Sequence, residues 1–123
     1  MNQRPVNMDL GSLTYPPMAI ASILHRISGV ALFVLLPFMM NYFSCSLMSD
    51  STFNALQSHM NCLLTKGVVW SFCVALLYHV LAGIRHLLMD VGLGDELILA
   101  RRSALIVIYT AVLGSIFLGV WIW

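Results

Sequence analysis

The chain has 123 residues, 60% of them hydrophobic and 9% charged, with a mean hydropathy of +0.91, whereas an ordinary soluble domain is about 25% charged. That balance excludes a water-soluble globule and makes lipid the main solvent. The net charge of +1, from six Lys/Arg against five Asp/Glu, gives nothing for nucleic acid to bind and excludes it as a partner.

A hydrocarbon layer about 30 Å thick needs about 20 apolar residues of helix to cross it. In chain order, the first seventeen residues, MNQRPVNMDLGSLTYPP, hold no apolar core, so no cleaved signal peptide is expected. The first span is predicted from about Met18 to Met48. It is entered through Pro16 and Pro17, which suit the first turn of a helix, and Pro37 is expected to kink it, a defect neighbouring helices tolerate. A polar loop follows over about Ser49 to Thr65, with His59 read as a solvated loop residue. The second span is predicted from about Leu64 to Met89, then a short turn, DVGLGDELILARR. Asp95 and Glu96 in that turn suit the positive N-terminal end of the next helix. The third span runs from about Ser103 to Trp123 and ends in WIW, as interfacial aromatics do. The expected fold is an all-α integral membrane protein, one transmembrane domain over residues 1–123 with three crossing helices.

The three cysteines, Cys45, Cys62 and Cys73, are too far apart for a CxxC metal site, an iron–sulfur run or a haem-attachment motif. Cys45 and Cys73 are read as filling helix surface. Orientation follows from the flanking cations. With the N-terminus inside, Arg4, Arg26, Arg85, Arg101 and Arg102 lie on the inner side and only Lys66 on the outer, which favours N-inside and C-outside. The start of the first helix, the end of the second and the start of the third then meet at one surface.

The polar residues of the spans gather at that surface. In ASILHRISG, the residues Ser22, Arg26 and Gly29 recur at helical spacing on one face, with His25 one position to the side. In YHVLAGIRHLLMD, His79 and His86 are two turns apart, about 10.5 Å along the axis, with Gly83 between them leaving a flat notch. His79 lies about 16 Å from Asp90, roughly half-way into the bilayer. A neutral imidazole there still carries an N–H and a lone pair that cost several kcal/mol if unpaired. Haem iron is one partner that meets this need, since a porphyrin is a flat apolar disc that fits between helices. Its anionic propionates would then point to the near surface, toward His25, Arg26, Arg85 and His86. The other reading is that His79 bonds a carbonyl of a neighbouring helix while the arginines snorkel. Ser22 and Arg26, one turn apart just inside the membrane, suit the carbonyls of a lipophilic quinone and its anionic reduced forms; equally, they suit a packing residue and an interfacial anchor.

RPVNMDL near the start, SILHRISG at the entry to the first helix and YHVLAGIRHLLMD at the exit of the second together resemble the cytochrome b556 membrane-anchor subunits of bacterial succinate dehydrogenase. The resemblance spans nearly the whole chain. It implies that His79 is an axial ligand of haem b, that Ser22 and Arg26 belong to the ubiquinone site, and that His25 and His86 stand near the haem propionates. It further implies a second small transmembrane subunit that supplies the other haem ligand within a shared helical bundle. An iron–sulfur subunit and a flavoprotein subunit are expected as partners, with membrane lipid around them, in a bacterial inner membrane. The chain has no flavin fingerprint and no iron–sulfur cysteine run, so succinate oxidation is expected on those other subunits. Two alternatives stand beside this reading: a haem-free structural anchor of a fumarate reductase-like complex, and a small proton-transport subunit. Against the second, outer stretches such as LIVIYTAVLGSIFLGVWIW are nearly all apolar, where a transmembrane proton path needs polar groups.

Overall fold

The computed structural model describes residues 16–94 and 96–123, in four helices. The RPVNMDL motif, Arg4, Tyr15 and Asp95 lie outside the described residues. Helix α1 covers Pro17–Met48, α2 Asp50–Met60, α3 Leu63–Asp90 and α4 Leu97–Ile122. Three of them, α1, α3 and α4, are long and apolar enough to cross a membrane, so the chain is a multi-pass helical membrane protein. Pro16 is extended at the N-cap and Pro17 opens α1, where a missing N–H costs nothing. The helix continues through Pro37.

The stretch expected to be a loop, residues 49 to 65, holds α2 instead. Ser49 turns extended between α1 and α2 and forms a capping box. Its hydroxyl accepts from the Thr52 N–H at 3.2 Å, and its own N–H donates to Thr52 Oγ1 at 3.1 Å. The Thr52 hydroxyl also lies 2.9 Å from the carbonyl of Cys45, one of the four carbonyls that the end of α1 leaves without an intrahelical partner. Thr52, Leu56 and Met60 form a half-buried stripe on α2. Polar composition hid this helix, because its cap satisfies donors locally and its apolar face is only one residue wide. His59 sits in its last turn.

Between α3 and α4 the chain turns through Gly92 and Gly94, at φ of 80° and 85°, a backbone conformation that costs other residues about 1–2 kcal/mol. The Leu93 N–H returns to the Leu88 carbonyl at 2.9 Å and closes the end of α3. Helix α4 then begins at Leu97, earlier than Ser103, with Glu96 as its N-cap residue. Arg101 and Arg102 therefore lie inside the helix and are exposed. Their cations suggested a boundary, yet their long stems can carry the charge back to the interface from within a helix.

The helices meet along small residues. On α4, Ala100, Ala104, Val107 and Ala111 are buried at spacings of four, three and four; Tyr78 and Ala82 are buried on α3, and Ala21 and Ser28 on α1. Lipid tails give helices no hydrophobic reason to associate, so close backbone approach and interhelical hydrogen bonds must hold them. Both are present. Tyr78 donates its hydroxyl to the Ala21 carbonyl at 3.0 Å, joining α3 to α1, and Trp70 donates Nε1–H to the Ser115 carbonyl at 3.0 Å, joining α3 to α4. The large apolar side chains point the other way: Phe33, Phe117 and Val120 are each at least 70% exposed, facing lipid or other subunits.

At Gly114 on α4, a Cβ would stand 2.5 Å from Leu77 Cδ2 on α3. Gly114→Val should therefore destabilise the protein by about 1–3 kcal/mol, read as a lowered thermal midpoint of the purified complex in detergent. Gly67→Ala, at a site where a Cβ meets nothing within 4 Å, should leave the midpoint unchanged; equal midpoints for the two variants would contradict the close packing.

Candidate functional site

Three imidazoles converge at the end of the bundle where α1 begins and α3 ends. His25 comes from α1 and His79 and His86 from α3. The rings of His25 and His79 stack with centroids 4.2 Å apart and planes 27° apart. His86 lies on the other side of His25, at 5.1 Å and 39°. The notch between His79 and His86 thus receives the His25 ring of the neighbouring helix, and a Cβ at Gly83 would lie 3.6 Å from His25 Nε2. Gly29 on α1 makes the matching space for His79, whose Cε1 would be 3.2 Å from a Cβ there. Two glycines, one per helix, let the two backbones approach until the rings overlap.

His79 is held at one nitrogen. Its Nδ1 lies 3.1 Å from Ser28 Oγ and 3.3 Å from the His25 carbonyl oxygen. A carbonyl only accepts, so the hydrogen-bond network assigns the proton to Nδ1. The Ser28 hydroxyl donates to the same His25 carbonyl at 2.7 Å and is free to accept from Nδ1–H. His79 Nε2 is left with an in-plane lone pair, the form a metal-binding imidazole takes. His25 is the counterpart: among the described residues its buried Nε2 has no hydrogen-bond partner.

These contacts do not make a site for a bare ion. Among the described residues no group of three or more His, Cys, Asp and Glu side chains is arranged to hold one, and stacked rings present faces to each other rather than converging lone pairs. Ser22 and Arg26 stand one turn apart on α1, Ser22 half-buried and Arg26 exposed. Cys45, Cys62 and Cys73 are free, and His59 lies at the far end of the bundle, in α2.

Arg85 departs from expectation. Its place next to His86 in sequence put it among the cations facing an anionic ligand, but its side chain is buried against α4. There Nε donates to Ser103 Oγ at 3.0 Å and Nη2 to the Ala100 carbonyl at 3.1 Å. One residue along a helix is a turn of about 100°, so neighbours in sequence face different helices. Ser28 is a site-forming residue that sequence reasoning passed over. For Ser28 the available signal was its spacing, three after His25, which sets a small polar group on the same side of α1.

A bundle of three apolar helices long enough to cross a membrane, with His25, His79 and His86 gathered at one end, is the architecture of a membrane-embedded protein, and comparison with known proteins says which kind. Residues 1–118 match the family model of the succinate dehydrogenase/fumarate reductase transmembrane subunit, and the chain belongs to that family. It is 40% identical over 126 residues to the succinate dehydrogenase cytochrome b556 subunit of Coxiella burnetii, with 98% of each chain covered. It is 32% identical over 121 residues to the subunit of that name in Paracoccus denitrificans, covering 95% of this chain and 87% of the relative. It is 32% identical over 107 residues to the succinate dehydrogenase cytochrome b560 subunit of Porphyra purpurea, covering 84% and 86%. The chain is accordingly a transmembrane anchor subunit that works in association with the other subunits of such a complex and with lipid.

If Arg85 ties α3 to α4, a double-mutant cycle of Arg85→Leu and Ser103→Ala on thermal stability of the purified complex should show coupling of about 0.5–2 kcal/mol, the range of interhelical hydrogen bonds in membranes. Strict additivity would show that the two side chains do not meet.

Proposed function

We propose that this chain holds haem b through His79, shares that haem with a second membrane subunit, and forms part of a ubiquinone site through Ser22 and Arg26. The observation that carries the haem assignment is the hydrogen-bonded Nδ1 of His79, which leaves Nε2 as the free donor of the deepest histidine in the bundle. One further observation fits the group: the buried, unpartnered Nε2 of His25 is a donor or acceptor awaiting a polar group. The names of the relatives, cytochromes b556 and b560, agree with this reading.

When bound, the haem supplies a one-electron centre inside the bilayer. The protein's own contribution is positional. The Ser28 hydroxyl and the His25 carbonyl orient the His79 ring, and metal-binding histidines are commonly fixed in this way through their second nitrogen. On this reading His25, His86 and Arg26 would meet the propionates at the near surface. His25 stacks beside His79 and His59 lies at the opposite end in α2, so a second membrane subunit would supply the haem's other protein ligand.

In the quinone site, Ser22 offers a hydroxyl to one carbonyl of the ring and Arg26 a permanent cation to the charge that builds up on reduction. A charge-assisted hydrogen bond of this kind is stronger in a low-dielectric pocket than in water. Electrons reach the quinone from succinate through the flavoprotein and iron–sulfur subunits, which this anchor holds at the membrane. The cations Arg26, Arg101 and Arg102 lie at one end and Lys66 at the other, which supports a cytoplasmic arginine end and a periplasmic C-terminus in a bacterial inner membrane.

Arg26→Leu is expected to leave succinate oxidation by a soluble dye near wild type while cutting ubiquinone reduction at least tenfold. Equal loss of both activities would remove Arg26 from the quinone site. His79→Ala is expected to abolish or shift the low-spin b-type spectrum of the purified complex, and an unchanged spectrum and midpoint potential would end its assignment as a ligand.

A further inference from the structure

Ser28 is the one buried hydroxyl on α1, 6% exposed, and nothing in helix packing requires it to be polar. A serine in an apolar helix commonly satisfies itself by donating to a carbonyl of the preceding turn, and Ser28 does so, to His25 at 2.7 Å. That bond uses its only proton. The oxygen's remaining lone pairs face across to α3, where His79 Nδ1 lies 3.1 Å away. The direction of both bonds is therefore fixed: His79 donates, Ser28 accepts, and Ser28 donates in turn to His25. The His25 carbonyl alone is a poorer partner for Nδ1–H, at 3.3 Å and already receiving the serine proton.

We propose that Ser28 is a positioning residue for the metal ligand His79, setting its tautomer and ring orientation and raising its basicity as a ligand; this rests on the haem assignment above. An acceptor on the Nδ1–H makes the opposite nitrogen more electron-rich, which favours the oxidised over the reduced iron. Loss of the acceptor then raises the haem midpoint potential and loosens the haem. The Ser28 hydroxyl meets the His25 carbonyl and His79 Nδ1, and so acts through the imidazole. Gly29, adjacent in sequence, complements it by letting the His79 ring lie flat against α1.

The test is a redox titration of the haem in the purified complex, with haem content measured alongside. Ser28→Ala should move the midpoint potential upward and weaken haem retention about tenfold, the low end of what removing a partner of a metal-binding histidine costs. Ser28→Thr, which keeps the hydroxyl, should restore both. Where the alanine variant does not assemble, Ser28→Cys, near in size but a weak acceptor, should show the same upward shift. Wild-type potential and haem content in Ser28→Ala or Ser28→Cys, or equal shifts in Ser28→Ala and Ser28→Thr, would overturn the role. The parent reading fails separately: there His79→Ala itself would keep the wild-type spectrum, whereas a failure confined to Ser28 leaves His79→Ala without it.

Discussion

A polar group in hydrocarbon has no water to fall back on, and each one left unpaired costs several kcal/mol. Every long-range hydrogen bond among these helices answers that constraint. The Tyr78 hydroxyl, the Trp70 indole and Arg85 Nη2 reach backbone carbonyls of a neighbouring helix, Arg85 Nε reaches Ser103 Oγ, and the Ser28 hydroxyl reaches a carbonyl of its own helix. A helix carbonyl has a second lone pair to offer, so each bond satisfies a side chain without breaking the helix that accepts it. Among the described residues, His25 Nε2 is the buried side-chain atom without a protein partner, and the proposed haem is what would answer it.

The same constraint explains why the interfaces are made of small residues. With no hydrophobic effect to draw helices together, the carbonyls of one helix come within reach of side chains on the next only where Ala, Ser and Gly line the seam. Ala100, Ala104 and Ala111 on α4 and Ala21 on α1 do this for packing; Gly29 and Gly83 do it for the imidazoles. The bulky residues are displaced outward, so the chain is lined with polar contacts inside and hydrocarbon outside. Arg85 shows the outcome for a charge: buried, but bonded at both Nε and Nη2 to α4.

The crossing helices were legible because apolar length is a direct requirement of the bilayer, and the gathering of His25, Arg26, His79 and His86 at one end was legible from spacing and depth. What sequence did not reveal was rotation between helices. His79 and His86 share a face by arithmetic, but whether that notch is open or filled depends on the register of α1, which brings His25 into it. Arg85 was misplaced for the same reason, since its neighbour His86 looks toward α1 while it looks toward α4. Ser28 was missed because a lone serine in an apolar helix reads as filler until the opposing imidazole is seen. Helix α2 was missed because its stabilisation is local: a cap built from Ser49 and Thr52, which composition does not display.

His79 is oriented from α1 through Nδ1 and stacks on His25, and on the proposed reading the cluster is one half of a haem site. The most direct test is the visible reduced-minus-oxidised spectrum of the purified complex, with haem counted per copy of this chain. One low-spin b-type haem per copy, lost when the second membrane subunit is omitted from expression, is the predicted result. A complex without haem, or a low-spin haem that persists on this chain without that second subunit, would contradict it.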